Sequence, residues 1–305
     1  MTHTLRGILA LLLVTLVWGT TFPAMKALTL HFSAQWIIFI RFAIAGILLS
    51  PFLWKPSRDD LVSGGLLGVL LFFCFVFQVE GLALTSSNRN AFICGLSVLF
   101  VPLLDLLAGK LPEKRIVLAS LLAVVGLALL CWDGGAWGRG DSLALASAIA
   151  FALYIKMMAF RTRRASRLMT LTAAQIVTVA LCAAIWLLAR EVPRTTIDAG
   201  QDFANYWEYI EQGLGKYAIN LLYLGVVATA AIISLQSWGQ ARASANEAAV
   251  IYSFEPAAAA FFAFFMLGET MTPRAWLGAA MLIAGMIVSQ WNAAAPRPAA
   301  ALAPE

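Results

Sequence analysis

The sequence predicts an all-α integral membrane protein of ten transmembrane helices, arranged as two inverted five-helix repeats, and three observations predict it. The 305 residues are 61% apolar and 12% charged, with a mean hydropathy of +0.83, more apolar surface than a soluble globule of this length can hide. The apolar runs are continuous and lack the period-two alternation of barrel strands. The chain also repeats itself. Ser86, Asn88 and Ile93 fall on Ser244, Asn246 and Ile251 at an offset of 158 residues, while Gly109 and Trp132 fall on Gly268 and Trp291 at 159. Upstream, Arg6 to Phe22 lies over Arg139 to Ile155, pairing Gly7 with Gly140, Trp18 with Phe151, Thr21 with Tyr154 and, just beyond, Met25 with Met158.

A helix needs about 17 to 25 residues to cross the hydrocarbon layer. The runs that supply them are Gly7 to Leu28, Gln35 to Trp54, Val62 to Leu84, Ala91 to Leu107 and Ile116 to Trp132 in the first copy. The second copy supplies Ser142 to Phe160, Leu168 to Ala189, Tyr217 to Gln236, Ala248 to Leu267 and Trp276 to Trp291. Five is odd, so the second copy crosses in the opposite sense, the plan of alternating-access transporters. The expected units are 1–138, 139–292 and a disordered Ala- and Pro-rich tail at 293–305. The first run is long for a signal-peptide core and lacks a small-x-small cleavage site, so it is read as a retained helix.

Basic residues set the orientation. With the amino terminus inside, the inner loops hold about twice as many Lys and Arg as the outer ones, and Arg161, Arg163, Arg164 and Arg167 form the strongest cluster. The net charge of +5 is therefore a topology signal and not a nucleic-acid footprint. Both termini are expected in the cytoplasm of a cell inner membrane. Between Arg190 and Gly215, the aromatic and aliphatic residues Phe203, Tyr206, Trp207, Ile210 and Leu214 recur at helical spacing, as in an interfacial amphipathic helix that is either a connector or a lid. Cys74, Cys94, Cys131 and Cys182 lie in apolar runs without paired spacing, and the two histidines, His3 and His31, lie near the amino terminus. Metal sites, disulfides and His-dependent hydrolase chemistry are not expected.

The run Val17-Trp18-Gly19-Thr20-Thr21-Phe22-Pro23-Ala24-Met25-Lys26 resembles the first-helix signature of the EamA family in the drug/metabolite transporter superfamily. Arg41-Phe42, Phe100-Val101-Pro102-Leu103-Leu104, Gly140-Asp141, Gln175, Ser253-Phe254-Glu255-Pro256 and Leu267-Gly268-Glu269 continue the match in order. One departure is that Pro102 does not fall opposite Pro256, which implies kinks at different depths in the two copies. The resemblance implies ten helices, a central cavity and export of small organic metabolites, often amino acids. Within that family the resemblance extends to the aromatic amino-acid exporters.

A repeat-built transporter holds its solute between the copies, so candidate binding residues occupy equivalent places in both. Trp18, Thr21 and Met25 share one helix face, and Phe151, Tyr154 and Met158 repeat it; Gln78 pairs with Gln236; Tyr252 precedes the Glu-Pro motif. Each has a structural reading beside the binding one: the aromatic-methionine stripe as helix packing, the glutamines as interhelical hydrogen bonds. Glu255 is read either as a proton-coupling carboxylate or as a structural group paired with Arg41. Glu80 and Arg89 are expected to be solvated or paired with each other, Lys26 and Lys156 either to snorkel or to hold a substrate carboxylate, and Asp105 to join a surface network with Lys110 or Arg115.

The expected function is secondary export of large neutral or aromatic amino acids by alternating access. A nucleotide-sugar or sugar-phosphate exchanger is the alternative, with Lys156 as its only midplane cation. An intramembrane enzyme would need a nucleophile-base pair, and a channel rings of like charge; neither pattern is in the sequence. The expected partners are a small-molecule solute and membrane lipid, with no nucleic acid, cofactor or catalytic residue, in a monomer or weak homo-oligomer.

Overall fold

The computed structural model describes residues 3–132, 134–197, 203–267 and 272–291, and every regular element among them is helical. The expected Gly268-Glu269 motif and the tail at 293–305 lie outside the described residues. The first copy forms α1 (His3–Gly19), α2 (Thr21–Leu28), α3 (Ala34–Leu49), α4 (Arg58–Leu84), α5 (Ser87–Gly95), α6 (Ser97–Leu107) and α7 (Lys114–Cys131). The second forms α8 (Arg139–Thr162), α9 (Leu168–Ile197), α10 (Phe203–Lys216), α11 (Ala218–Leu222), a π-helical stretch at Tyr223–Ala231, α12 (Ile232–Gln240), α13 (Ala245–Tyr252), α14 (Glu255–Leu267) and α15 (Pro273–Gln290).

Eight helical segments among the described residues are long and apolar enough to cross a membrane, from Leu5–Leu28 to Ala218–Gln240. The last two expected spans are helical but interrupted or short: α13 and α14 are separated at Ser253–Phe254, and α15 has 18 residues with polar ends. Large apolar side chains such as Leu13, Ile47, Phe73, Leu121 and Ile185 are exposed on the outer faces of the helices, whereas Leu11, Phe42, Leu67 and Tyr154 are buried between them. Helices apolar on both sides suit a lipid surround.

The packing has a regular exchange. α4 lies against α8 as α12 lies against α1; α4 lies against α9 as the π-helical stretch lies against α3; α7 runs along α15. Glycines that the duplication equates make two matching close crossings. A Cβ on Gly81 would stand 3.0 Å from the Gly140 carbonyl oxygen, and one on Gly7 3.0 Å from that of Gly239. At the α7–α15 contact, a Cβ on Gly126 would stand 2.8 Å from the Gly278 carbonyl oxygen, and one on Gly285 2.9 Å from that of Ala119. Small residues let the helix backbones approach where only dispersion and weak polar contacts drive association.

The kinks correct the sequence expectation. The fourth span breaks at Leu96 and the ninth at Ser253–Phe254, so the two breaks fall at equivalent depths. Pro102 sits inside α6 without breaking it, because the Val98 carbonyl that its missing N–H leaves free is taken by the Ser120 hydroxyl at 3.3 Å. Pro256 needs no such help: it lies in the first turn of α14, where a backbone N–H has no intrahelical partner.

Two ionic expectations are also corrected. Arg89 is buried and pairs not with Glu80 but with Asp141, at 2.7 Å. Asp105 is bound by Lys156 and by Asn246, whose Nδ2 donates at 2.9 Å, and not by Lys110 or Arg115. In both cases the partner comes from the other copy, which the local loop sequence does not show.

Candidate functional site

A cavity of about 750 Å³, its open mouth included, lies among α1, α2, α3, α4, α5, α6, α8, α12 and α13–α14. Its wall is built largely from residues that the two offsets equate. Trp18 and Phe151 face it, as do Phe22 and Ile155, Phe75 and Ile233, Gln78 and Gln236, Cys94 and Tyr252, and Ser97 and Glu255. The breaks at Leu96 and Ser253–Phe254 adjoin Ser97 and Glu255, so chain interruptions and polar wall residues coincide. A concave wall that is mostly apolar with a few polar groups suits a small organic molecule.

Of the residues expected at the site, Trp18, Thr21, Met25, Gln78, Phe151, Gln236, Tyr252, Arg41 and Glu255 line this cavity. Tyr154 and Met158 do not. Both are fully buried, and the Tyr154 hydroxyl accepts a 3.0 Å bond from Gln175 Nε2, which turns it into the α8–α9 contact. Thr21 and Met25 thus keep a place at the cavity that their counterparts in α8 have given to packing. Sequence reasoning missed Phe22, Phe75, Cys94, Ser97, Ile155 and Ile233. The signal was present, since each falls on another wall residue by the same offsets.

The π-helical stretch explains how Arg41 reaches the wall. Its wider turn is marked by the Thr229 hydroxyl bonding back to the Leu224 carbonyl five residues earlier at 2.7 Å, and π turns often sit at functional places. Arg41 donates from Nε to Thr229 Oγ1 at 2.5 Å, from Nη2 to the Ala228 carbonyl at 3.2 Å and from Nη1 to Met25 Sδ at 3.4 Å. Trp18 Nε1 donates to the same Ala228 carbonyl at 3.4 Å. The expected ion pair of Arg41 with Glu255 is not formed among the described contacts. Tyr252 donates to Gln240 Oε1 at 3.3 Å, and Gln240 Nε2 donates to the Ile155 carbonyl at 2.6 Å, closing the floor between α8, α12 and α13.

The cavity lies between two polar ends. At the Arg89 end, Lys26 does not merely snorkel: its ammonium donates to the Leu82 and Thr85 carbonyls at 2.7 and 3.0 Å, a cation on the carboxyl end of α4. The amphipathic α10 lies over the α2–α3 connection there. His31 stacks on Tyr209 with centroids 4.0 Å apart, the two exchange 3.0 Å bonds through each other's backbone carbonyls, and Trp36 Nε1 donates to the Tyr206 hydroxyl at 2.7 Å. At the Arg115 end, Asp60 caps α9 by accepting from the Ser166 and Arg167 amides at 3.1 and 2.9 Å. No group of metal-ligating side chains is assembled among the described residues.

The model of the EamA-like transporter family matches residues 5–132 and again 138–290. An uncharacterized transporter of Archaeoglobus fulgidus is 29% identical over 283 residues, 92% of this chain and 84% of its own. The uncharacterized transporter YwfM of Bacillus subtilis is 34% identical over 91 residues, 30% of this chain and 28% of its own. A crystal structure superposes with a TM-score of 0.70 over 95% of this chain and 97% of its own at 16% identity, a likeness of fold alone.

Proposed function

From the premise that this chain belongs to the EamA-like transporter family, we propose that it is a ten-span secondary exporter of amino acids with large neutral or aromatic side chains. Its two copies, 1–138 and 139–292, cross the inner membrane in opposite senses and rock about the shared cavity. The Arg115 end, with both termini, faces the cytoplasm, and the Arg89 end faces outward, in keeping with the excess of basic loops at the former. The observation that carries this reading is the cavity wall itself, drawn from equated positions of both copies. Its aromatic, Met and Gln groups offer apolar packing with single hydrogen-bond handles, suited to a medium-sized, mostly neutral solute. Sugar phosphates fit poorly, because Lys156 is bound to Asp105.

Counterflow in liposomes with labelled amino acids, nucleobases and sugar phosphates tests the reading. Saturable exchange of aromatic or large neutral amino acids, cut about tenfold by Trp18→Ala for loss of a partly buried aromatic wall group, is the expected result. Exchange confined to sugar phosphates would replace the substrate class, and undiminished exchange by Trp18→Ala would move the site.

A further inference from the structure

Two ionisable groups of opposite sign line the cavity without meeting. Arg41 is 2% exposed, and its guanidinium binds neutral groups only, those of Thr229, Ala228 and Met25, with the Phe75 ring centroid 4.8 Å from Cζ. Three of its five N–H groups are thereby used, leaving one on each terminal nitrogen, the fork that fits a carboxylate. Glu255 opens α14 at the chain break, and its carboxylate has neither a hydrogen bond nor an ion pair among the described residues. A charge inside a membrane bundle without a counter-charge is costly. Here one ionisable group of each sign faces the same space.

We infer that this cavity selects its solute by charge: the carboxylate of a zwitterion docks on the free fork of Arg41, its ammonium on Glu255, and Thr229 is a positioning residue that holds the fork in place. The inference rests on the transporter reading above and adds the groups that read the solute's charges. A zwitterion relieves both unpaired charges at once. A monoanion leaves Glu255 unmatched and an amine leaves Arg41 unmatched, and a buried polar group left without its partner is what gives a site strong discrimination. Thr229 and Ala228 belong to the second copy and Arg41 to the first, so the fork is set by the contact between the copies.

The test uses three solutes with one ring system: tryptophan, indole-3-propionate, which lacks the ammonium, and tryptamine, which lacks the carboxylate. In counterflow with the full chain, tryptophan is expected to be favoured over each of the others by about tenfold or more. Glu255→Gln is expected to bring the tryptophan-to-indolepropionate ratio towards one. Thr229→Val is expected to raise half-saturation severalfold for the two carboxylates and to leave tryptamine unchanged, with Thr229→Ser restoring the carboxylates; a merely structural threonine would weaken all three alike. Should Glu255→Gln fail to accumulate in the membrane, ligand-dependent melting of the unaltered protein decides: stabilisation by tryptophan alone supports the inference, and equal stabilisation by all three overturns it. Equal exchange of all three solutes overturns the charge reading and leaves the transporter reading standing. Exchange of none of them, nor of any aliphatic amino acid, removes both.

Discussion

The two ends of the bundle use one local device with opposite charge. At the Arg89 end, Ser86 caps α5 by accepting from the Arg89 amide at 3.3 Å; at the Arg115 end, Ser244 caps α13 by accepting from the Glu247 amide at 3.2 Å. A glutamate in that place returns to its own cap, and Glu247 accepts from the Ser244 amide at 3.0 Å. An arginine has no acceptor to return. Arg89 instead reaches Asp141 through two bonds of 2.7 and 3.0 Å, the Gly135 and Ala136 carbonyls at 3.0 Å each, and the Trp132 ring 4.9 Å away. Its pair is 6% and 3% exposed, against 26% and 20% for Lys156 and Asp105 at the other end. The Arg115 end also holds open pockets of about 800 and 900 Å³. One end is sealed by a buried ion pair, the other tied by wetter and more dispersed contacts, and burial is what sets the difference in strength.

The sharpest way to break that contrast is Asp141→Asn. It removes a buried carboxylate that binds Arg89 through two bonds and is expected to cost about 3 kcal/mol, read as melting in detergent. Glu247→Gln is expected to cost about 1 kcal/mol, because Arg115 keeps Glu113 at 2.5 Å and the Ser289 carbonyl. Equal losses would contradict the contrast. Next in size are the paired crossings: Gly81→Val and Gly7→Val are each expected to cost about 2 kcal/mol by forcing backbones apart. Similar losses at both sites support the equivalence of the crossings, and a loss at only one would break it. Trp36→Phe removes the bond to Tyr206 and should cost about 1 kcal/mol, loosening α10 from the α2–α3 connection.

The smallest effects belong to the Arg115 end. Lys156→Met is expected to change stability by less than about 1 kcal/mol. Glu113 is held below the usual carboxylate range by its hydrogen bond from Arg115. Its contribution is therefore present at neutral pH and is lost as pH falls through the lowered value. Because this carboxylate is 64% exposed, Glu113→Gln is expected to leave the melting temperature at neutral pH within error. A large fall there would show that this end carries more of the stability than its exposure allows.

Much of the fold was legible because it follows from local chemistry. Apolar length marks spans, and the offsets equating Gly7 with Gly140 and Gly81 with Gly239 anticipated residues that touch at two matching crossings. The partners of charged groups were not legible. Arg89 and Asp141 are 52 residues apart, and Lys156 and Asp105 are 51 apart, so only tertiary packing brings them together. The kink position was misread because Pro102 suggested a break that the Ser120 hydroxyl makes unnecessary. At the cavity the duplication was a better guide than residue type. It pointed to Trp18, Phe151, Gln78 and Gln236, but it could not tell that Tyr154 would be claimed by Gln175. Thr229 escaped notice because a hydroxyl in an apolar run looks ordinary until the π-helical turn aims it at Arg41.

The claim on which the rest depends is that equivalent places in the two copies lie on opposite sides of the membrane. Glu113 and Thr272 are such a pair, separated by the same 159 residues as Trp132 and Trp291, and both are exposed. Single cysteines at these positions, in a chain whose own four cysteines are changed to serine, can be labelled in intact cells with a membrane-impermeant maleimide. The account predicts labelling of Thr272→Cys from outside, and of Glu113→Cys only after the membrane is opened. Labelling of both from the same side would contradict it.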